Sequence, residues 1–110
     1  MIKPSNKVVF YEGLEESFMA LSDEDPLKKG LIEAIKEIKK DCQAGEHISP
    51  KSNLAINCLK KYGAKNIRVF DLPQFYRLIY SIAPSEIEII SVVLDWPDHK
   101  RYDQLCKKKL

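Results

Sequence analysis

The segment from residue 66 to residue 95 limits the fold more than any other part of this chain. Its apolar residues recur with the period of strands in three runs, residues 67–72, 76–82 and 87–95. Leu72-Pro73-Gln74 and Ala83-Pro84-Ser85 separate the runs, and proline, which has no N–H to give to a ladder, marks each as a turn. Two tight connections in succession predict an antiparallel meander, because parallel neighbours need long crossovers. The third run starts by alternating (Glu86, Ile87, Glu88, Ile89). It is then apolar from Ile90 to Leu94 except at Ser91, as in a strand that passes from an edge into the middle of a sheet. Pro97 stops it, and residues 98–105 are expected to add a helical turn or two.

Upstream, Val8, Val9, Phe10 and Tyr11 predict a short strand over residues 7–12. Leu14, Phe18 and Leu21 then share one side of about two helical turns. Asp25 and Pro26 form a helix start, a capping carboxylate followed by a residue whose missing N–H costs nothing there. Leu27, Leu31, Ala34, Ile35, Ile38 and Cys42 form the apolar stripe behind it, with lysines and glutamates on the other face and Gly45 as the expected end. Ser49-Pro50 opens a second helical stretch that closes at Lys60-Lys61-Tyr62-Gly63. The short link predicts a helical hairpin. The expected fold is therefore α+β: an N-terminal strand and helical hairpin packed on an antiparallel β-meander, with a short C-terminal helical tail.

At 110 residues the chain has room for one domain, residues 1–110, with one core. No run reaches the roughly 18 apolar residues of a membrane span, and the N-terminal sequence has no apolar signal region, so the expected location is cytoplasmic. Three widely spaced cysteines, with no C-x-x-C pair, predict neither a disulfide framework nor a zinc site. With two histidines besides, no metal site is expected. The net charge is only +2, but from Lys100 onward five basic residues face one acid, Asp103. That run is either a solvated end or a counter-charge for phosphates.

No phosphate-cradling glycine loop, H-E-x-x-H or nucleophile elbow is present. Chemistry then falls to polar residues at strand ends and in the tail. Arg77, set among apolar neighbours in FYRLIYSI, either pairs with a surface glutamate such as Glu88 or holds a phosphate in its planar fork. Arg68 shares a face with Asn66 and Phe70, and meets Arg77 on one surface if the strand register allows. The tail DWPDHKRYDQL packs Asp95, Asp98, His99, Lys100, Arg101 and Tyr102 just after a core strand. Histidine suits proton transfer near neutrality, and tyrosine can donate a hydrogen bond, stack on a base or cover the core.

In order and spacing, LKKYGAKNIRVFDLP, FYRLIYSI and IISVVLDWPDHKRYDQL resemble the RelE/ParE toxins of toxin–antitoxin pairs, closely over residues 60–102. The middle segment is similar to the family's arginine-bearing strand, the last to its closing strand and histidine/tyrosine tail. The resemblance implies a RelE-like toxin that cuts ribosome-bound mRNA by attack of the ribose 2′-OH on the adjacent phosphate, without metal or cofactor. It implies Arg77, His99 and Tyr102 as catalytic residues, and Arg68, Lys100 and Arg101 as substrate-binding ones. It also implies a cognate antitoxin protein as partner and no membrane. The alternatives are a ParE-like inhibitor of DNA gyrase without nuclease activity, and a non-catalytic binding module. Two departures stand out. Phe70 occupies a position that is basic in some members, and Trp96-Pro97-Asp98 replaces the tail arginine of RelE proper.

Overall fold

The computed structural model describes residues 3–84 and 88–108. Five strands form one mixed sheet: β1 (Lys7–Phe10), β2 (Glu46–His47), β3 (Ile67–Asp71), β4 (Arg77–Pro84) and β5 (Ile89–Asp95). Four helices accompany them among the described residues: α1 (Leu14–Ala20), α2 (Pro26–Lys40), α3 (Asn53–Tyr62) and α4 (His99–Lys107). The strands lie in the order β1-β5-β4-β3-β2, so the class is α+β as expected.

The meander is present. β3 pairs antiparallel with β4, and β4 with β5. β1 joins β5 in parallel at one edge, and the two-residue β2 extends the other edge beside β3. The apolar run of β5 fits its place between two neighbours. Ser91, the one polar residue in it, is fully buried with its hydroxyl 2.6 Å from that of Ser5. The alternating start expected at Glu86 and Ile87, and Ser85 of the second turn, lie outside the described residues.

Asp25 caps α2 through its Oδ1, which accepts from the Leu27 amide at 2.9 Å, and Pro26 takes the first helical position. The helix ends at Lys40 and not at Gly45. Asp41 is extended, its carboxylate accepts from the Gln43 amide, and the Cys42 amide turns to the Lys3 carbonyl. Gly45 has a different reason to be glycine. A Cβ there would stand 2.8 Å from the Tyr80 ring and 2.9 Å from the Val69 carbonyl. Its amide donates to the Tyr80 hydroxyl, which donates in turn to the Cys42 carbonyl. The second helix starts at Asn53, with Ser52 as its cap, and closes at Gly63 in the left-handed region, φ 66°.

The predicted helical hairpin is replaced by a layered arrangement. Leu27, Leu31, Ala34 and Ile38 of α2 pack with Leu78, Tyr80 and Val93 on one face of the sheet. Leu54, Ala55 and Cys58 of α3 pack with Ile67, Val69, Ile79 and Leu94 on the other. β2 separates the two helices in the chain, so α3 reaches the opposite side. Strand alternation supplies an apolar surface to each. α4 joins α3, with Tyr102 and Leu105 packed on the second core.

One irregularity positions the site. Ile79 pairs with Asp95 but Tyr80 pairs with Val93, so Leu94 is an extra residue in β5. Such a bulge redirects the side chains that follow it. Asp95 thereby comes to the α3/α4 side with Ile79, where Arg101 meets it.

Candidate functional site

Polar side chains gather where β3 ends, β4 begins and α4 begins. The Arg77 amide donates to the Pro97 carbonyl at 3.0 Å, which fixes the start of β4 against the entry to α4. Asp98 caps α4 by accepting from the Arg101 amide at 2.9 Å, and so places His99 at the first helical position. Tyr102 follows three residues later, on the same face by helical spacing.

Arg77 and Asp71 are directly opposite across the β3–β4 ladder. Arg77 Nε lies 3.0 Å from Asp71 Oδ1, and Nη1 donates to the Tyr76 carbonyl. The guanidinium sits 5.8 Å from the centre of the Tyr102 ring, within cation–π range. Its side chain remains 25% exposed, so a ligand can reach it. The expected pairing with Glu88 is not formed: Arg77 takes Asp71, and Glu88 meets Lys7 at 3.5 Å.

Burial holds the Tyr102 phenol well above the usual tyrosine range. The Cys106 thiol, to which it is hydrogen-bonded, adds to the effect; Arg77 opposes it, and the carboxylate of Glu46 on β2 reinforces it. Tyr102 therefore stays protonated at neutral pH and serves as a donor. His99 Nε2 lies 3.3 Å from Asp103 Oδ2, and its ring stands 6.2 Å from that of Phe75. Arg77, Tyr102 and His99 thus share one end of the sheet.

The other expected residues do not join them. Arg68 and Arg77 do not converge, because the register pairs Arg68 with Tyr80 and sets it on the α2 face. There it donates through Nε to the Gly45 carbonyl and through Nη2 to that of Gln43, holding the loop after α2. Arg101 grips Asp95 with both terminal nitrogens, at 2.8 and 3.0 Å, and is a strut between α4 and the bulge. Lys100 is exposed. Lys109 lies outside the described residues.

Asp71 and Phe75 belong to the region although sequence reasoning passed over them, and Glu46 acts on Tyr102 only through its charge. Asp71 was legible in principle, since it and Arg77 flank the turn symmetrically. Glu46 sits in a strand too short to leave a periodic signal. Phe75 looked like one more apolar residue, yet it is 72% exposed.

A cleft of about 410 Å³ opens between α3 and α4, with Cys58, Ile79 and Leu105 among its apolar walls and Lys60 and Lys61 at its border. Burial pushes the Cys58 thiol up to about 11 and the Tyr62 phenol up to about 12, so both walls are neutral under ordinary conditions. Among the described residues, no three or more His, Cys, Asp or Glu side chains gather as a metal site, and no helix is long and apolar enough to cross a membrane. Comparison with protein-family models, with curated proteins and with solved structures finds no match to this chain.

Proposed function

We propose that this protein is a RelE-like toxin, the toxic half of a toxin–antitoxin pair, and that it cuts ribosome-bound mRNA at the Arg77–Tyr102–His99 end of the sheet. The observation that carries the reading is the guanidinium of Arg77 held 5.8 Å from the Tyr102 ring, with His99 one helical turn before it. In the proposed step the ribose 2′-oxygen attacks the adjacent phosphorus and the bond to the 5′-oxygen breaks. The products are a 2′,3′-cyclic phosphate and a free 5′-hydroxyl. Arg77 offers a planar fork to the phosphoryl oxygens as their charge grows, and Tyr102, kept protonated, exchanges its Cys106 contact for a hydrogen bond to them. His99 is the group at hand to exchange a proton: it takes one from the 2′-hydroxyl or returns one to the leaving oxygen, and water supplies the other transfer.

The partner in this reading is a cognate antitoxin whose disordered segment folds over the basic and apolar surface. The site of action is the cytoplasm. A non-catalytic binding module is the second reading. It draws support from Arg68 and Arg101, whose guanidinium groups are taken up by internal partners.

Induced expression in a close host separates the two. The nuclease reading expects growth arrest that is lost in Arg77→Ala, Tyr102→Phe and His99→Phe, each checked for folding by circular dichroism. Arrest that persists in all three sinks the nuclease reading and favours binding, with DNA gyrase as one target to test.

A further inference from the structure

Phe75 combines two features that its own folding does not call for. Among the described residues its ring is the most exposed of the large apolar side chains, at 72%, and it belongs to neither core. Its backbone is left-handed at φ 63°, directly after Gln74 at φ 59°. Only glycine adopts that region freely, so each of these residues carries strain. The surroundings keep the turn in place. The Leu72 amide donates to the Tyr76 carbonyl and the Tyr76 amide to the Pro73 carbonyl. On the far side Pro73 packs on α2 at Gly30, where a Cβ would overlap the proline ring. The turn therefore holds Phe75 outward in a fixed place, 6.2 Å from the ring of His99 at an interplanar angle of 59°.

We infer that the Phe75 ring, with His99 tilted at its side, is a stacking platform for a nucleobase of the RNA strand whose phosphate Arg77 binds. The inference rests on the RNA reading above and adds to it a substrate-positioning residue. One residue, Tyr76, separates Phe75 from Arg77, so their Cα atoms are at most about 7 Å apart. A flat ring and a phosphate-binding fork on neighbouring stretches of one turn offer partners for both parts of a nucleotide, its π-face and its charge. Every base has such a face, so the platform is tolerant of sequence. A protein partner is less suited to this spot. His99 pairs with Asp103, and the strand ends that flank the turn carry the Asp71–Arg77 pair, so charges border it in place of the apolar ring that shelters an interface hot spot.

The test measures binding of a fluorescent single-stranded RNA hexamer to the full chain as a function of salt. Phe75→Ala and Phe75→Leu should weaken binding by about five- to 100-fold while Phe75→Trp stays within about threefold of the parent, because the lost contact is stacking. The salt slope should stay the same in all three, whereas Arg77→Ala should flatten it by removing a phosphate contact. Phe75→Gly supplies a readout independent of ligand: it should raise Tm by relieving the strained backbone and still bind as weakly as Phe75→Ala. If Phe75→Ala binds the hexamer like the parent while Arg77→Ala does not, the platform is refuted and the RNA site stands. Should the parent fail to bind RNA at all, both ideas fall. A co-purifying protein lost from Phe75→Ala at unchanged RNA affinity would also overturn the platform, in favour of a protein contact.

Discussion

Asp71 stands between Arg77 and any phosphate that would use it. The carboxylate is 84% exposed and only 3.0 Å from the guanidinium, so it contributes little to stability and competes directly with an incoming anion. Asp71→Asn should therefore tighten binding of short RNA by roughly two- to fivefold and leave the urea midpoint almost unmoved. Fluorescence anisotropy and a denaturation curve on the same sample check both parts. A looser complex would mean that Asp71 aims Arg77 and does not screen it. At this scale the sequence was only partly legible. Arg77 and Tyr102 stood out by residue type and position and do meet. Arg68 and Arg101 stood out equally, yet they hold carbonyls and a carboxylate inside the fold. Arg77 is engaged too, by Asp71 and the Tyr76 carbonyl, but its carboxylate partner is 84% exposed where that of Arg101 is 14% exposed, a difference that residue type does not show. For Arg68 strand register decides its partners, since a one-residue change exchanges the faces of a strand; for Arg101 it is the start of α4 at Asp98 and the bulge at Leu94.

Among elements, the strands and α2 announced themselves because their signals are local: period two bounded by prolines, and a capped stripe after Asp25. Which face of the sheet each helix covers is a long-range matter, and α2 and α3 each carry a single apolar stripe that fits either side. One clue was present. The continuous apolar run of β5 needs cover on both faces, and a hairpin of helices on one side leaves the other bare. The contact of α2 with the turn before β4 gives a prediction at this scale. Gly30 lies under Pro73, and a methyl group there has no room. Gly30→Ala should cost about 1–3 kcal/mol by overpacking, despite the better helix propensity of alanine. A urea titration checks the sign: greater stability would show that the turn yields freely, and the fixed placing of Phe75 would be lost with it.

For the molecule as a whole, several weakly acidic groups are buried on the α3/α4 side. Burial raises Cys58 from the ordinary thiol value to about 11 and Tyr62 to about 12, and raises Tyr102 as well. In the unfolded chain these groups lose their protons at lower pH than in the fold. Above about pH 9 the unfolded state therefore binds fewer protons, and stability falls as pH rises towards the folded values. The urea midpoint should be level from pH 7 to about pH 9 and decline above it, first through Cys58 and then through the tyrosines. Cys58→Ala should soften the first part of the decline, to which the buried Cys42 thiol, raised likewise, still contributes. A midpoint that holds to pH 11 would contradict the burial of these groups.

The central claim is that Arg77, Tyr102 and His99 cut RNA, and the most direct measurement is the position of new RNA ends. Purified protein is added to ribosomes programmed with a defined mRNA, and the 5′ ends of the products are mapped by primer extension. Cleavage should fall at fixed positions within the codon of the ribosomal A site and leave 5′-hydroxyl ends. Arg77→Ala should cut about 100- to 1,000-fold more slowly, the usual cost of removing one group that stabilises transition-state charge. Intact mRNA with the parent protein, or cleavage at the same rate with Arg77→Ala, would contradict the account.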